Sequence, residues 1–251
     1  MASVSWSSIV EQVQPHVVRI FTPHGSGTGF LVSNNTDKRI CGIATAAHVI
    51  DHAHDWLEPI RIVHESSNTT ILVQSTDRAV FLDSQRDTAA ILIDGNDIPF
   101  PTEPLPLAPK DKYLKIGNTI AWLGYPAIPS ANLCFFSGSI SAWVQEESAY
   151  LVDGVAINGV SGGPAIWSVM HGMELDDSEI SKHTTIVGVV SAYMPNRATG
   201  ETLPGLSVVR GVDQYHKLLA QFESVEQAQE KETPPEDTLA GINEGAESDR
   251  V

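Results

Sequence analysis

Cysteine and positive charge are both scarce in this 251-residue chain, and each scarcity excludes a class of protein. Only Cys41 and Cys134 occur, too few for a disulfide-stapled scaffold or a closed cysteine-rich zinc site. Each stands in an apolar run typical of a strand interior, so both read as small buried thiols. Lys and Arg number 15 against 31 Asp and Glu, for a net charge of −16. That balance argues against a nucleic-acid partner, because phosphate binding requires clustered cations. Long hydrophobic runs are also missing. No stretch reaches the about 18 uninterrupted apolar residues of a membrane-spanning helix. The opening Met1-Ala2-Ser3-Val4-Ser5-Trp6 lacks the basic region and apolar core of a secretion signal. The expectation is a soluble chain in a reducing, cytoplasmic setting, with no membrane partner. No internal repeat is visible, and no low-complexity segment precedes Phe222.

Hydrophobic residues make up 42% of the chain, which is long enough for a well-buried core. Ser7 and Ser8 are candidate caps for a short helix carrying Ile9, Val10 and Val13, ended by Pro15. Short apolar or alternating runs follow at 17–21, 29–32, 40–45, 60–64, 70–74, 79–82 and 89–93, punctuated by Gly, Asn and Asp. Prolines between Pro99 and Pro109 cannot donate a regular hydrogen-bond ladder, so that interval reads as a connection. Further runs lie at 119–123, 135–143, 150–152, 164–169, 185–191 and 206–209. Residues 212–222 then place Leu218, Leu219 and Phe222 on one helical face. Such spacing favours a barrel or sandwich over parallel βαβ units. After Phe222, nine acidic residues from Glu223 to Asp249 face only Lys231 and Arg250. This tail is expected to be disordered, either as a tether or inhibitory segment or as a solvated terminus.

One segment stands out chemically. Asn158-Gly159-Val160-Ser161-Gly162-Gly163-Pro164 presents a lone serine among glycines that leave backbone N–H groups free to face a ligand. A serine hydroxyl attacks a carbonyl only when a base takes its proton and fixed dipoles receive the developing charge. Upstream, Ala44-Thr45-Ala46-Ala47-His48-Val49-Ile50 ends an apolar run on an imidazole, and Arg86-Asp87 leads into the apolar run 88–93. A carboxylate at Asp87 could accept the Nδ1 proton of His48 and stabilise the imidazolium. Asp83 and Asp94 lie close by and are alternatives. Asp83, however, lacks an apolar run directly after it, and Asp94 follows the run and so falls at the opposite strand end.

Together these motifs resemble the trypsin/chymotrypsin-fold serine proteases, most closely their bacterial HtrA-like branch. Gly25-Ser26-Gly27-Thr28-Gly29-Phe30-Leu31-Val32 is similar to that branch's glycine-rich hairpin. Thr45–Val49 is similar to its histidine motif, and Asp87–Leu92 to its aspartate motif. Gly117, Leu123-Gly124-Tyr125-Pro126 and Ser137–Ser141 resemble the opening of its second barrel. Ala156–Pro164 resembles its serine loop, slightly shortened, and Val187–Ser191 the strand that follows. The resemblance spans roughly residues 9–220.

It implies an all-β fold of two packed six-stranded antiparallel β-barrels with a short N-terminal and a C-terminal helix. The protease domain would occupy 1–222: a first barrel at about 15–98, the connection at 99–111, a second barrel at about 112–210 and a closing helix at 212–222. Residues 223–251 form the acidic tail. The implied activity is peptide-bond hydrolysis by Ser161, His48 and Asp87, with the N–H groups of Gly159 and Ser161 as oxyanion donors. Ser191, Ala192 and Tyr193 would pair with substrate backbone, and Val155, Asn158 and Gly205 would line the specificity pocket. Val155 replaces the acid that arginine- and lysine-cleaving relatives carry there, which implies small or medium apolar side chains before the scissile bond.

Departures from the pattern are informative. Val160 occupies the place of the acid that pairs with a new N-terminus in secreted zymogens, so that activation route is closed. Val49 replaces the cysteine that follows the histidine in those relatives, and no partner-binding module is expected after the protease. A protease-fold binding or scaffold protein with a latent site, opened by an activating partner, is therefore the alternative to an autonomous enzyme. Asp51-His52-Ala53-His54-Asp55 brings two imidazoles and two carboxylates together. No second set of spaced ligands accompanies it, so it reads as a polar loop after His48, and neither metal nor cofactor is expected. The remaining histidines, His24 among them, read as surface or structural groups.

Overall fold

The computed structural model describes residues 5–34, 39–128, 132–168, 184–195 and 202–221. Helix α1 (Trp6–Val13) starts at Ser5, whose Oγ accepts the Ser8 N–H at 3.4 Å, so the cap lies upstream of the expected Ser7 and Ser8. The strands of the first half are β1 (Val17–Thr22), β2 (Gly25–Asn34), β3 (Ile40–Thr45), β4 (Ile60–His64), β5 (Thr69–Val73), β6 (Ala79–Asp83) and β7 (Thr88–Asp94). Helix α2 (Ala47–Asp55) lies between β3 and β4. The second half contains β8 (Thr119–Gly124), β9 (Cys134–Val144), β10 (Ala149–Asp153), β11 (Pro164–Ser168), β12 (Thr184–Pro195) and β13 (Thr202–Gly211). Helix α3 follows at 213–221. The connection 99–111 holds no strand and touches β12 through the Ala108 N–H to the Ile186 carbonyl, 2.8 Å.

The second half is the expected closed six-stranded barrel, in the order β10-β13-β12-β11-β8-β9. The first half is the other barrel-like unit of the expected two-barrel fold and differs in strand count and closure. It is a seven-stranded sheet, β5-β4-β1-β2-β3-β7-β6, in which β5 and β6 are edges rather than a sixth closing pair. Between those edges the Arg78 guanidinium donates instead to the carbonyls of Val73, Ala53 and Glu58 at 3.0, 3.1 and 2.7 Å.

Period-2 alternation explains why the central strands read as near-continuous apolar runs. Val18, Ile20, Leu31, Ile43 and Ile91 point into a core of the first half, with Ile50 of α2 and Ile60 and Ile62 of β4. Their neighbours Val17, Phe30, Val32, Ala44 and Ala90 point the other way. They join Trp122, Tyr125, Tyr150, Val152, Ile166, Val189 and Val209 in a core that includes the barrel and Ile9 and Val13 of α1. The two halves therefore share this second core, while the first belongs to the first half alone. Cys41 is buried, and burial pushes its thiol up to about 12. Cys134 is only half-buried, at the start of β9, contrary to the expectation of two buried thiols.

No described helix is long and apolar enough to cross a membrane. The acidic tail 223–251 and the loop between Met170 and His183 lie outside the described residues.

Candidate active site

Antiparallel pairing of β3 with β7, ending at Thr45 opposite Ala89, brings the exit of one strand beside the entrance of the other. His48 follows β3 in the first turn of α2, and Asp87 immediately precedes β7. The register alone therefore delivers an imidazole and a carboxylate to the same sheet end. His48 Nδ1 lies 2.9 Å from both Asp87 Oδ1 and Oδ2, and the His48 backbone N–H donates to Oδ1 at 3.0 Å. Asp87 adopts φ 50°, a left-handed conformation that Asp tolerates better than most residues but that still carries strain. The alternative acids are engaged elsewhere. Asp83 accepts the backbone and side chain of Arg86, and Asp94 accepts both N–H groups of Asn96 at the far end of β7.

The hydrogen bond to Asp87 raises the His48 pKa from its ordinary value, against partial burial that would lower it. Burial pushes the Asp87 carboxyl up, but the ring hydrogen bond and charge of His48, the Ser191 hydroxyl and the His48 backbone N–H together outweigh it. Its pKa falls below the usual carboxylate range. The Ser191 bond is a finding that sequence reading missed. Ser191 was expected only at a substrate-pairing edge, yet it is buried and its hydroxyl donates to Asp87 Oδ2.

The serine turn is anchored from the opposite half. Thr28 on β2 is fully buried and uses every polar atom it has. Its N–H donates to the Ser161 carbonyl at 2.8 Å and its hydroxyl to the Gly159 carbonyl at 2.8 Å. That hydroxyl also accepts the Tyr125 N–H at 2.9 Å, and the Thr28 carbonyl accepts the Thr45 hydroxyl at 2.7 Å. Gly162, at φ 88°, donates to the Val190 carbonyl, and a Cβ there would strike Thr28 and Thr45. Gly159, at φ 91°, packs so closely on the Tyr125 carbonyl and Ala127 amide that no side chain fits.

Ser161, His48, Gly159 and Asn158 line one cavity of about 340 Å³, together with His24, His52 and Ala127. The Asn158 carbonyl accepts the Ala127 N–H at 2.7 Å. Because the peptide is trans, the Gly159 N–H points away from that bond. Neither it nor the Ser161 N–H makes a hydrogen bond among the described residues. The same residues show no hydrogen bond between the Ser161 hydroxyl and the outer nitrogen of His48.

Pairing of β12 with β11 ends at Val189, whereas β12 continues along β13 with Ala192 opposite Val208 and Tyr193 opposite Ser207. One edge of residues 191–193 is thus without a strand partner among the described residues. The Gly154 N–H donates to the Gly205 carbonyl at 2.8 Å, which brings the segment carrying the exposed Val155 beside Gly205. Residues 51–55 correct the sequence reading: they belong to α2 and not to a loop, with Ala53 buried. Tyr215 of α3 was also unforeseen. Its buried hydroxyl donates to the carbonyls of Thr45 and Ala89, at 3.0 and 3.2 Å, just behind His48 and Asp87.

Residues 27–168 match the family described as the trypsin-like peptidase domain. Among solved structures, the serine endoprotease of Yersinia pestis is 19% identical, with a TM-score of 0.60 over 88% of this chain and 68% of that one. Rv3671c of M. tuberculosis H37Rv, in an inactive mutant form, is 19% identical with a TM-score of 0.54 over 86% and 90%. A second inactive form of the Rv3671c protease is 18% identical with a TM-score of 0.55 over 88% and 99%. At these identities the likeness establishes the fold. No curated protein sequence matches the chain.

Proposed function

Because the chain belongs to the trypsin-like peptidase domain family, we propose that it is a serine endopeptidase working through Ser161, His48 and Asp87 and an acyl-enzyme intermediate. The observation that carries this reading is one cavity holding Ser161 and a His48 ring whose inner nitrogen is fixed by Asp87. That bond places the Nδ1 proton on the Asp87 side and leaves Nε2 as the base. In the proposed sequence His48 removes the Ser161 proton, Ser161 attacks the peptide carbonyl, and the Gly159 and Ser161 N–H groups receive the oxyanion. His48 then protonates the leaving amine, and water hydrolyses the acyl-enzyme by the same route. Asp87, itself held by Ser191, stabilises the imidazolium at each stage. The free edge at 191–193 suits strand addition by substrate. The pocket residues Val155, Asn158 and Gly205 carry no charge, which favours small or medium apolar side chains before the scissile bond.

A latent, partner-activated site is the second reading, and the missing Ser161–His48 hydrogen bond favours it. Such bonds are often long before substrate arrives, and the Gly159 N–H, without a hydrogen bond among the described residues, supports an oxyanion loop open to a ligand. A fluorophosphonate probe separates the two. Labelling of Ser161 in the isolated protein supports an autonomous enzyme, and labelling only with an added partner supports latency. Ser161→Ala is expected to reduce peptide turnover by on the order of a million-fold. Near-wild-type cleavage by that variant would end the assignment. Peptide-library profiling checks the pocket, and a preference for Arg, Lys or Glu there would contradict it.

A further inference from the structure

Beside the candidate active site lies a group of side chains that the proposed mechanism does not use. His24 comes from the β1–β2 turn, His52 from the last turn of α2, and Glu58 from the segment that follows it. Their ligand atoms all lie within 4.8 Å of one another. We propose that His24, His52 and Glu58 bind a zinc ion at the rim of the catalytic cavity, and that zinc there inhibits peptide hydrolysis. The inhibitory half rests on the peptidase reading, whereas the metal site does not.

The spacing of the three groups supports a metal better than an ion pair. Glu58 Oε2 lies 3.3 Å from His24 Nε2 and 3.4 Å from His52 Nδ1. Charge-assisted N–H···O bonds close to about 2.7–2.9 Å, so these contacts are slack as salt bridges. Zinc bound at about 2.0–2.1 Å by imidazole and carboxylate places neighbouring tetrahedral donors about 3.3 Å apart. The two carboxylate–imidazole separations match that edge.

The Glu58 backbone is also held in place. The Glu58 N–H donates to the Ala53 carbonyl at 2.9 Å, and its carbonyl accepts the Arg78 guanidinium at 2.7 Å. The half-exposed histidines leave a fourth corner for water. No fourth protein ligand is needed, since three ligands and an open position make a usual exchangeable zinc site.

Inhibition follows from location. His24 and His52 line the same cavity as Ser161 and His48, and His52 stands four residues after His48, on the same face of α2. A hydrated dication there obstructs the cavity and opposes the positive charge that His48 takes up during attack.

The test uses the purified full chain, stripped with EDTA, dialysed and titrated with zinc chloride by calorimetry near neutral pH. One zinc per chain is expected, with affinity reduced on the order of tenfold or more in both His24→Ala and Glu58→Gln. Absence of stoichiometric zinc, or unchanged affinity in both variants, overturns the metal site. In parallel, casein turnover by the wild type should fall about tenfold or more under saturating zinc and return with EDTA. Glu58→Gln should keep its basal turnover and lose the zinc response. Wild-type turnover indifferent to bound zinc overturns the inhibitory half. A chain that cleaves nothing with zinc removed defeats the autonomous-enzyme reading and the inhibitory half with it, while calorimetry still decides the metal site.

Discussion

Asp87 holds a strained left-handed backbone so that one carboxylate receives three donors at once: the His48 ring, the His48 backbone and the Ser191 hydroxyl. The consequence is a pH dependence with a definite sign. In the proposed role of base His48 must be neutral, and the Asp87 hydrogen bond raises its pKa above the ordinary 6.5. Log kcat/KM is therefore expected to rise with pH and to level off only above an inflection higher than 6.5. Asp87→Asn should move that inflection down and reduce kcat by about 10⁴-fold. A pH–rate profile on both proteins checks this, and an unmoved inflection would count against the pairing. Asp87 itself was legible in the sequence, because an apolar strand follows it directly. The Ser191 bond was not, since nothing in the run Val187–Ser191 marks which distant residue its hydroxyl meets.

Strand positions were read from sequence to within a few residues, because turn residues, Gly, Asn and Asp among them, punctuate the apolar and alternating runs. Helix α2 was not. The buried Ala46 at its N-cap and Val49, Ile50 and Ala53 within it follow the i, i+3, i+4, i+7 spacing of a helical face, but the intervening Asp and His residues read as a polar loop. Helix α3 was legible from its apolar face, whereas the destination of the Tyr215 hydroxyl depended on tertiary packing. That hydroxyl fastens α3 across the molecule to the paired ends of β3 and β7. Tyr215→Phe should keep the packing and lose about 1–3 kcal/mol of stability, measured as a lower denaturant midpoint at an unchanged slope. An unaltered midpoint would show that the two carbonyl contacts contribute nothing net.

At the scale of the whole molecule, the expected twin barrels are a seven-stranded sheet and a closed barrel, joined by a core to which both contribute. Shared burial predicts a single cooperative thermal transition, and calorimetry resolving two separate transitions would contradict it. Thr28→Val tests the polar link between the halves. It leaves the Tyr125 N–H and Gly159 carbonyl without their partner, which should cost about 1–3 kcal/mol. Its activity should fall more than that of Tyr215→Phe, because the serine turn is lost from register. The Thr28 junction also orders events in time. A nascent chain emerging from a ribosome exposes residues 48 and 87 long before the turn around 161 exists, and Tyr215 arrives last. On the proposed peptidase reading, a half-made copy therefore carries no assembled centre with which to damage its neighbours.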